Sequence, residues 1–539
     1  MDIERIELPP RDLLVRDYLL QMNDSLFHYH FLDPDSDRFR LRELGHFKFP
    51  RERLAEHIRS LMEPFGLSEE IEDSLVKLAR PDSAVIVGGQ QAGILGGPLY
   101  TIYKMISVII LAKEKEEKLG IPVVPVFWIA GEDHDFAEVN HVFIPDGTKM
   151  AKKIYQSRLS AGKQMVSRIE IDRESLISFC EEVVRLCGET EHSKILLEHL
   201  RKAAKRAGTI SEFFLSFVHR FFKSTGLLFL DSAHPDLRQL EKDYFCWMVE
   251  KSGDITKALI HRQRELAGAG YYPQIEADPL GAQLFYVADS GRQPLLVDRE
   301  TGDFQAGGKK FSRDRLLSIA LHEPERLSNN VATRPLMQEF LMPVLGFVGG
   351  PGEIHYWSEL KECFELFERK IPPIYPRLNI TLLERHIESA LDELGLDLTR
   401  VLLRGAGMEK ERAEKELLDP DIRAVISRMK QRIEEEYRVA KSSVSQRYPE
   451  LDPILEKNEH FIVNQLDFIL RKAEEASVKR NRLTVDKYDR VESSLHPFGE
   501  FQERCWNIIY FLNRYGLDFI HRLFRLPLRV DGGHFIVRI

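Results

Sequence analysis

Residues 123–135 read VVPVFWIAGEDHD, an apolar run that stops in four ionisable side chains, Glu132, Asp133, His134 and Asp135. A run of this length and β-branched content reads as a buried strand, and its neighbours say which kind. Upstream, AVIVGG (84–89) is a second short apolar run ending in glycine. PLYTIYKMISVIILAKEKEEKLG (98–120) between them has the marks of a helix, with Pro98 in its first turn, charges in its last and Gly120 as its stop. Strand, glycine loop, helix and strand within about fifty residues make a βαβ unit, whose crossover forces the two strands to run parallel.

The pattern recurs along the chain. GLLFLD (226–231) reads as a third strand, and VLGFVGGPG (344–352), feeding the helix EIHYWSELKECFELF (353–367), reads as a fourth. The fold class expected is therefore α/β. A helical lead-in occupies 1–80, and the core, within 81–385, is assembled from pieces near 80–150, 210–235 and 325–385, with inserted subdomains near 150–210 and 240–325. From 386 to 483 the composition shifts to Glu, Lys, Arg and Leu. Ile422, Val425, Met429, Ile433, Tyr437, Ala440 and Val444 advance by three or four, and a second helix over 451–478 would complete an antiparallel hairpin, suited either to dimerisation or to packing on the core. The segment 484–539 is rich in aromatics and is expected to pack back on the core.

The chain has 539 residues, more than a single core usually supports, and its 43% hydrophobic and 30% charged content is that of a globular protein. A net charge of −9 disfavours nucleic-acid binding through phosphate neutralisation. MDIERIELPPRDLL lacks the basic and apolar regions of a secretory signal, and MISVIILA (105–112) is too short for a membrane span, so a cytoplasmic location is expected. The five cysteines, at 180, 187, 246, 363 and 505, form no Cys-x-x-Cys pair, and their scatter predicts neither a disulfide framework nor a zinc site.

Four stretches carry candidate chemistry. In VIVGGQQAGILGGPLY (85–100), Gly88, Gly89, Gly93, Gly96 and Gly97, with Gln90 and Gln91, precede a helix N-terminus, a place suited to a phosphate; the spacing is neither G-x-G-x-x-G nor a Walker A loop. In GEDHDFAEVNH (131–141), Asp133, His134 and Asp135 would stand at the ligand-binding end of a parallel strand as acid/base groups or Mg²⁺ ligands; the simpler reading makes Asp135 the N-cap of a helix, with Glu138 three residues on. In 328–357, Asn329, Asn330, Thr333 and Arg334 form a polar cluster, Gln338 and Glu339 read as a solvated helix face, and GGPGE repeats the glycine turn. In PPIYPRLNITLLERH (372–386), prolines hold Arg377 and Asn379 on an extended segment. Later, Arg490, Trp506, Tyr510 and Arg514 are read either as a purine-stacking site or as core residues.

Taken together, GGQQAGILGGPLYTIYK, FWIAGEDHD, SNNVATRPLMQEFLMP, GGPGEIHYW, PRLNITLLERH and ERCWNIIYFLNRYG resemble the bacillithiol biosynthesis cysteine ligase family BshC over essentially the whole chain. The resemblance implies a Rossmann-like core with connecting-peptide insertions, similar to class I aminoacyl-tRNA synthetases, and a coiled coil that forms a homodimer. It implies that cysteine is added to glucosaminyl malate through an amide, the last step of bacillithiol synthesis, with ATP activating the carboxyl and Mg²⁺ accompanying it. On that reading Asp133, His134 and Asp135 are catalytic, Gly88 to Gly97 bind nucleotide, and Arg490 and Trp506 form a second nucleotide pocket. Asn329, Arg334, Glu353, Tyr356, Arg377 and Asn379 bind substrate, Arg334 or Arg377 holding the malyl carboxylates; no metal-ligand set, zinc in particular, is expected. Two rivals remain: a metal-dependent hydrolase centred on Asp133, His134, Asp135 and His141, and a coiled-coil interaction protein without catalysis.

Overall fold

The computed structural model describes residues 1–157, 164–298 and 300–539. It divides into two compact units, one made of 1–144, 151–382 and 503–538, the other of 145–150, 383–502 and Ile539. The first holds the parallel sheet. Its five strands are Ala84–Gln90, Val123–Ile129, Leu228–Asp231, Val344–Gly349 and Ile374–Pro376, called here the first to fifth core strands. Across the sheet they lie in the order fifth, fourth, first, second, third, every neighbour pair parallel. This is the doubly wound order of a Rossmann fold. Every residue of the second core strand is buried, which is why its sequence is continuously apolar and does not alternate.

The crossover helix spans Leu99–Leu119 and ends on Gly120 in the left-handed region, φ 67°. The helix expected after the fourth core strand breaks into Pro351–Ser358 and Lys361–Glu365. The lead-in contains four helices, Leu13–Leu19, Ser36–Leu44, Arg51–Met62 and Glu69–Ala79. A strand precedes them, Asp2–Ile6, antiparallel to His534–Arg538. Its largely charged, exposed sequence, DIERI, carries no strand signal of its own.

The insertion near 150–210 contains helices Arg173–Leu186 and Ser193–Arg206; its residues 158–163 lie outside the described residues. The insertion near 240–325 holds more than the sequence suggests. Besides helices it contributes strands Gly281–Ala288, Gly291–Val297, Phe304–Ala306 and Lys309–Phe311, which with Leu327–Asn329 make a second, antiparallel sheet. Among the described residues no helix is long and apolar enough to cross a membrane.

In the second unit, helices Pro420–Ser445 and Asp452–Arg480 form an antiparallel hairpin, bridged by Lys430 to Asp467 and by Lys441 to Glu459 at 2.7 Å. The apolar stripe needs correction. Ile433, Tyr437, Ala440 and Val444 are half-buried, but Ile422, Val425 and Met429 are exposed, and the residue buried beside them is Ile426, matched on the second helix by buried Leu466. The segment 484–539 divides: 484–502 belongs to the helical unit and 503–538 to the core unit.

Candidate active site at the carboxyl edge of the parallel sheet

The order of the strands reverses between the first and fourth core strands, and in open sheets of this kind ligands bind outside the carboxyl ends at that point. Lys104, on the crossover helix, is only 1% exposed and reaches the carboxyl end of the first core strand. Its ammonium donates to Gly89 O at 2.8 Å, to Gln90 Oε1 at 3.1 Å and to the Glu353 carboxylate. Burial pulls its pKa down, against the pull of Glu353. Glu353 also accepts from Gly350 N–H at 2.8 Å, closing the first turn of Pro351–Ser358.

The glycine loop is not the open cradle expected. Gly88 and Gly89 lie within the first core strand, where a Cβ would come 2.8 Å from Val108 Cγ2 and 2.7 Å from Trp128 O respectively. These two glycines serve strand and helix packing. Gly93, Gly96 and Gly97 are buried, and a Cβ on Gly93 would meet Gly97 Cα at 2.6 Å. The first amide of the helix is taken as well, Leu99 N–H donating to Trp506 O at 2.9 Å, and Asn507 Nδ2 holds the loop by donating to Gly97 O at 2.8 Å. The loop leaves Gln90 and Gln91, both partly exposed, as its polar side chains toward the edge.

Gln91 leads to the GEDHD turn, donating to Asp133 Oδ2 at 2.5 Å and to Glu138 Oε2 at 2.7 Å. The four ionisable residues have four different surroundings. Glu132 is buried and shares Arg238 with Glu241; it also accepts from Asn329 N–H at 2.9 Å. Burial opposes the charge on Arg238, but Glu132 and Glu241 outweigh it and hold the guanidinium above its ordinary value. Asp133 is partly exposed, its Oδ1 taking the His134 N–H at 2.7 Å. His134 Nδ1 faces Arg292 Nη1 at 3.2 Å. Arginine can only donate, so Nδ1 is the acceptor and the ring proton sits on Nε2. Asp135 is exposed and caps Phe136–Val139, accepting from Ala137 N–H at 3.1 Å, as the simpler reading held.

The turn begins on Gly131, where a Cβ would lie 1.8 Å from Ser167 Oγ and 2.2 Å from Asp231 Oδ1. Asp231, last residue of the third core strand, accepts from Ser167 Oγ at 2.6 Å and from Ala233 N–H at 2.9 Å, and burial pushes its carboxyl pKa up. Asn329 is 2% exposed, and neither its Oδ1 nor its Nδ2 has a partner. A buried amide with both ends unpaired costs about 1–3 kcal/mol per group, a cost that a bound ligand would relieve. Gln338, expected on a solvated face, is equally buried and unpaired, and Glu339 beside it is buried against Arg40 at 2.5 Å.

Of the remaining expected substrate residues, Arg334 donates to the Tyr356 hydroxyl, which also accepts from Trp357 Nε1 at 3.1 Å and so directs its own proton elsewhere. Arg377 is placed otherwise than expected. It is 4% exposed and committed internally, to Glu503 Oε1 at 2.6 Å, Leu378 O at 2.8 Å and Asn379 Oδ1 at 3.2 Å. It organises the edge and has little left for a ligand carboxylate. Lys104, Arg238, Arg292 and Glu503 were missed in the sequence. Only Lys104 carried a signal, as a lone cation in the apolar run TIYKMISVIILA.

Trp506 is buried, its ring 4.7 Å from Tyr510 and 5.6 Å from Phe511, while Arg490 is an exposed residue of the helical unit. Burial pushes the thiols of Cys180, Cys187 and Cys363 up to about 12, which makes them poor nucleophiles. Among the described residues, the groups with metal-ligand geometry are His57, His234 and Asp236, and His261, Glu265 and Glu362. Neither includes Asp133, His134, Asp135 or His141, so the metal-hydrolase alternative lacks a gathered donor set.

The family model of the bacillithiol biosynthesis BshC N-terminal Rossmann-like domain matches residues 1–378, and that of the BshC C-terminal coiled-coil domain matches 380–539. Relatives bearing the name "Putative cysteine ligase BshC" are 40% identical in Geobacillus sp. strain WCH70, 37% in Bacillus velezensis and 37% in Lysinibacillus sphaericus, each aligned over 100% of both chains. A solved Campylobacter jejuni chain, named "putative arginyl t-RNA synthetase", covers 83% of this chain and 97% of its own at 10% identity. Its TM-score of 0.21 is too low to carry the comparison with synthetases.

Proposed function

The chain belongs to the bacillithiol biosynthesis BshC family, and from that premise we propose that it is a cysteine ligase joining the cysteine carboxyl to the amine of glucosaminyl malate. A carboxylate is a poor electrophile, so the reaction needs an activating co-substrate, and ATP is the one proposed, with Mg²⁺ accompanying it. The buried glycines and the engaged Leu99 amide do not fit the phosphate cradle first expected, so no step is routed through that loop.

The observation that carries the location is Asn329, a buried amide with both polar atoms unpaired, one hydrogen bond from the GEDHD turn through Glu132. Its carbonyl and amino ends can pair with a substrate amine and a substrate carbonyl. The sugar nitrogen attacks the activated acyl carbon, the activating group leaves, and the nitrogen sheds a proton. Asp133 is the acceptor proposed for that proton, since its carboxylate is partly exposed and aimed by Gln91 and the turn amides. His134 does not suit that role, because Nδ1 already accepts from Arg292 and Nε2 carries a proton; it serves as a donor. Asp135 is a helix cap in this scheme. The exposed apolar residues of the hairpin, Val425, Met429 and Phe461 among them, support a homodimer formed there.

The test is direct. Cysteine, glucosaminyl malate and ATP are mixed with the protein and followed by mass spectrometry for bacillithiol and for AMP or ADP. Asp133→Asn is expected to lower turnover about 10²-fold or more, and Asp135→Asn by far less. Equal rates in the two variants would remove Asp133 from the mechanism, and no ATP-dependent product would remove the ligase reading.

A further inference from the structure

Beside the GEDHD turn lies a cavity of about 300 Å³ lined in part by Met165, Val287 and three arginines, Arg168, Arg292 and Arg326. Asp289 and Glu325 also line it, which leaves a net positive charge. Arg292 is built into the wall: it is 5% exposed, donates to Asn329 O at 2.5 Å and meets His134 Nδ1 at 3.2 Å. Its Nε is buried without a partner. Arg168 spends one nitrogen on Glu325 O at 3.2 Å, and Arg326 reaches the Tyr286 hydroxyl at 3.2 Å and Glu323 at 2.8 Å.

The guanidinium fork matches a carboxylate in plane and spacing, and Arg is the side chain that best tolerates such desolvated pairing. Size narrows the ligand further. About 300 Å³ is the floor of the range for small-molecule sites, roughly 300–1,000 Å³, which suits one anionic arm of a substrate and is cramped for a nucleotide.

We propose that this cavity is the dicarboxylate subsite, in which Arg168, Arg292 and Arg326 hold the malyl end of the acceptor, an assignment that rests on the ligase reading. It replaces Arg377, whose guanidinium is committed to Glu503 and backbone. It also fixes direction: Arg292 bridges the cavity to His134 and Asn329, so an acceptor anchored by its carboxylates extends its amine toward Asp133.

Two measurements on the full chain test it. L-malate is titrated by calorimetry into the wild type, Arg168→Gln and Arg326→Gln, with thermal melts to verify folding. Saturable binding to the wild type, weakened roughly tenfold or more in both variants at unchanged Tm, is expected. In the ligation assay, KM for glucosaminyl malate should rise by a similar factor with kcat within about twofold, while glucosamine, which lacks the malyl group, should be used no worse than by the wild type. No saturable malate binding, binding equal in all three proteins, or an unchanged KM overturns the subsite. Should the wild type make no product at all, the ligase reading falls, and the malate titration still decides the cavity by itself.

Discussion

Lys104 with Glu353, and Lys441 with Glu459, are the same chemical pair in two regions of the molecule. In the core the lysine is 1% exposed and its partner 19%; on the hairpin the figures are 32% and 23%. Burial makes the first pair structurally binding: once out of water, neither charge tolerates the loss of the other. The second is screened by solvent and contributes little. The core edge therefore concentrates interdependent charge, with Arg238 between Glu132 and Glu241 as its densest point, whereas the hairpin distributes independent pairs along its length.

Acid should expose this contrast most strongly. Burial holds His57, His199, His219 and His534, all in the core unit, at a pKa of about 4. Each folded value lies below the unfolded one of about 6.5, so their contribution is complete above that pH and is lost as pH falls toward 4, at up to about 1.4 kcal/mol per histidine per pH unit. Calorimetry between pH 7 and 4.5 should show a steadily falling Tm for the core transition; a flat profile would mean that these rings are solvated. Next in size, Arg238→Met strands two buried carboxylates and should cost about 3–5 kcal/mol in urea unfolding. A loss below about 1 kcal/mol would put that triad on a par with the hairpin pairs.

The hairpin gives smaller effects on folding and a different readout. Met429→Glu, placing a charge on the exposed apolar stripe, should abolish the proposed homodimer in analytical ultracentrifugation and leave ligation intact. An unchanged sedimentation coefficient would locate the dimer elsewhere or dispense with it. Smallest of all, Lys441→Ala should change stability by no more than about 0.5 kcal/mol, and a larger loss would show that the hairpin pairs are coupled.

The two regions were also unequally legible in the sequence. The core strands could be found because apolar runs bounded by glycine are too short to be helices, and the Asp135 cap could be found because Asp-x-x-Glu precedes a turn of helix. The second sheet was passed over because its two longer strands, Gly281–Ala288 and Gly291–Val297, lack sustained alternation and its other three are only three residues each. On the hairpin, three- and four-residue spacing identified the helix and the half-buried face from Ile433 onward, but misassigned the first turns, where Ile426 faces inward and Met429 outward. The site was harder still. Arg168, Arg292 and Arg326 belong to separate segments and meet only through the fold. The glycine loop misled because glycine also appears where strands and helices crowd, as at Gly88 and Gly89, and a carbonyl some four hundred residues away had taken the first amide of the helix.

The pairing of Asp2–Ile6 with His534–Arg538 has a consequence in time. During synthesis the partner of this strand is made 528 residues after it, which at about 5–20 residues per second is a wait of roughly 25–100 s. For that interval its backbone is an unclaimed edge, and an unclaimed edge invites foreign strands. Asp2, Glu4 and Arg5 place charge on that edge, a device by which natural sheets disfavour pairing with foreign strands.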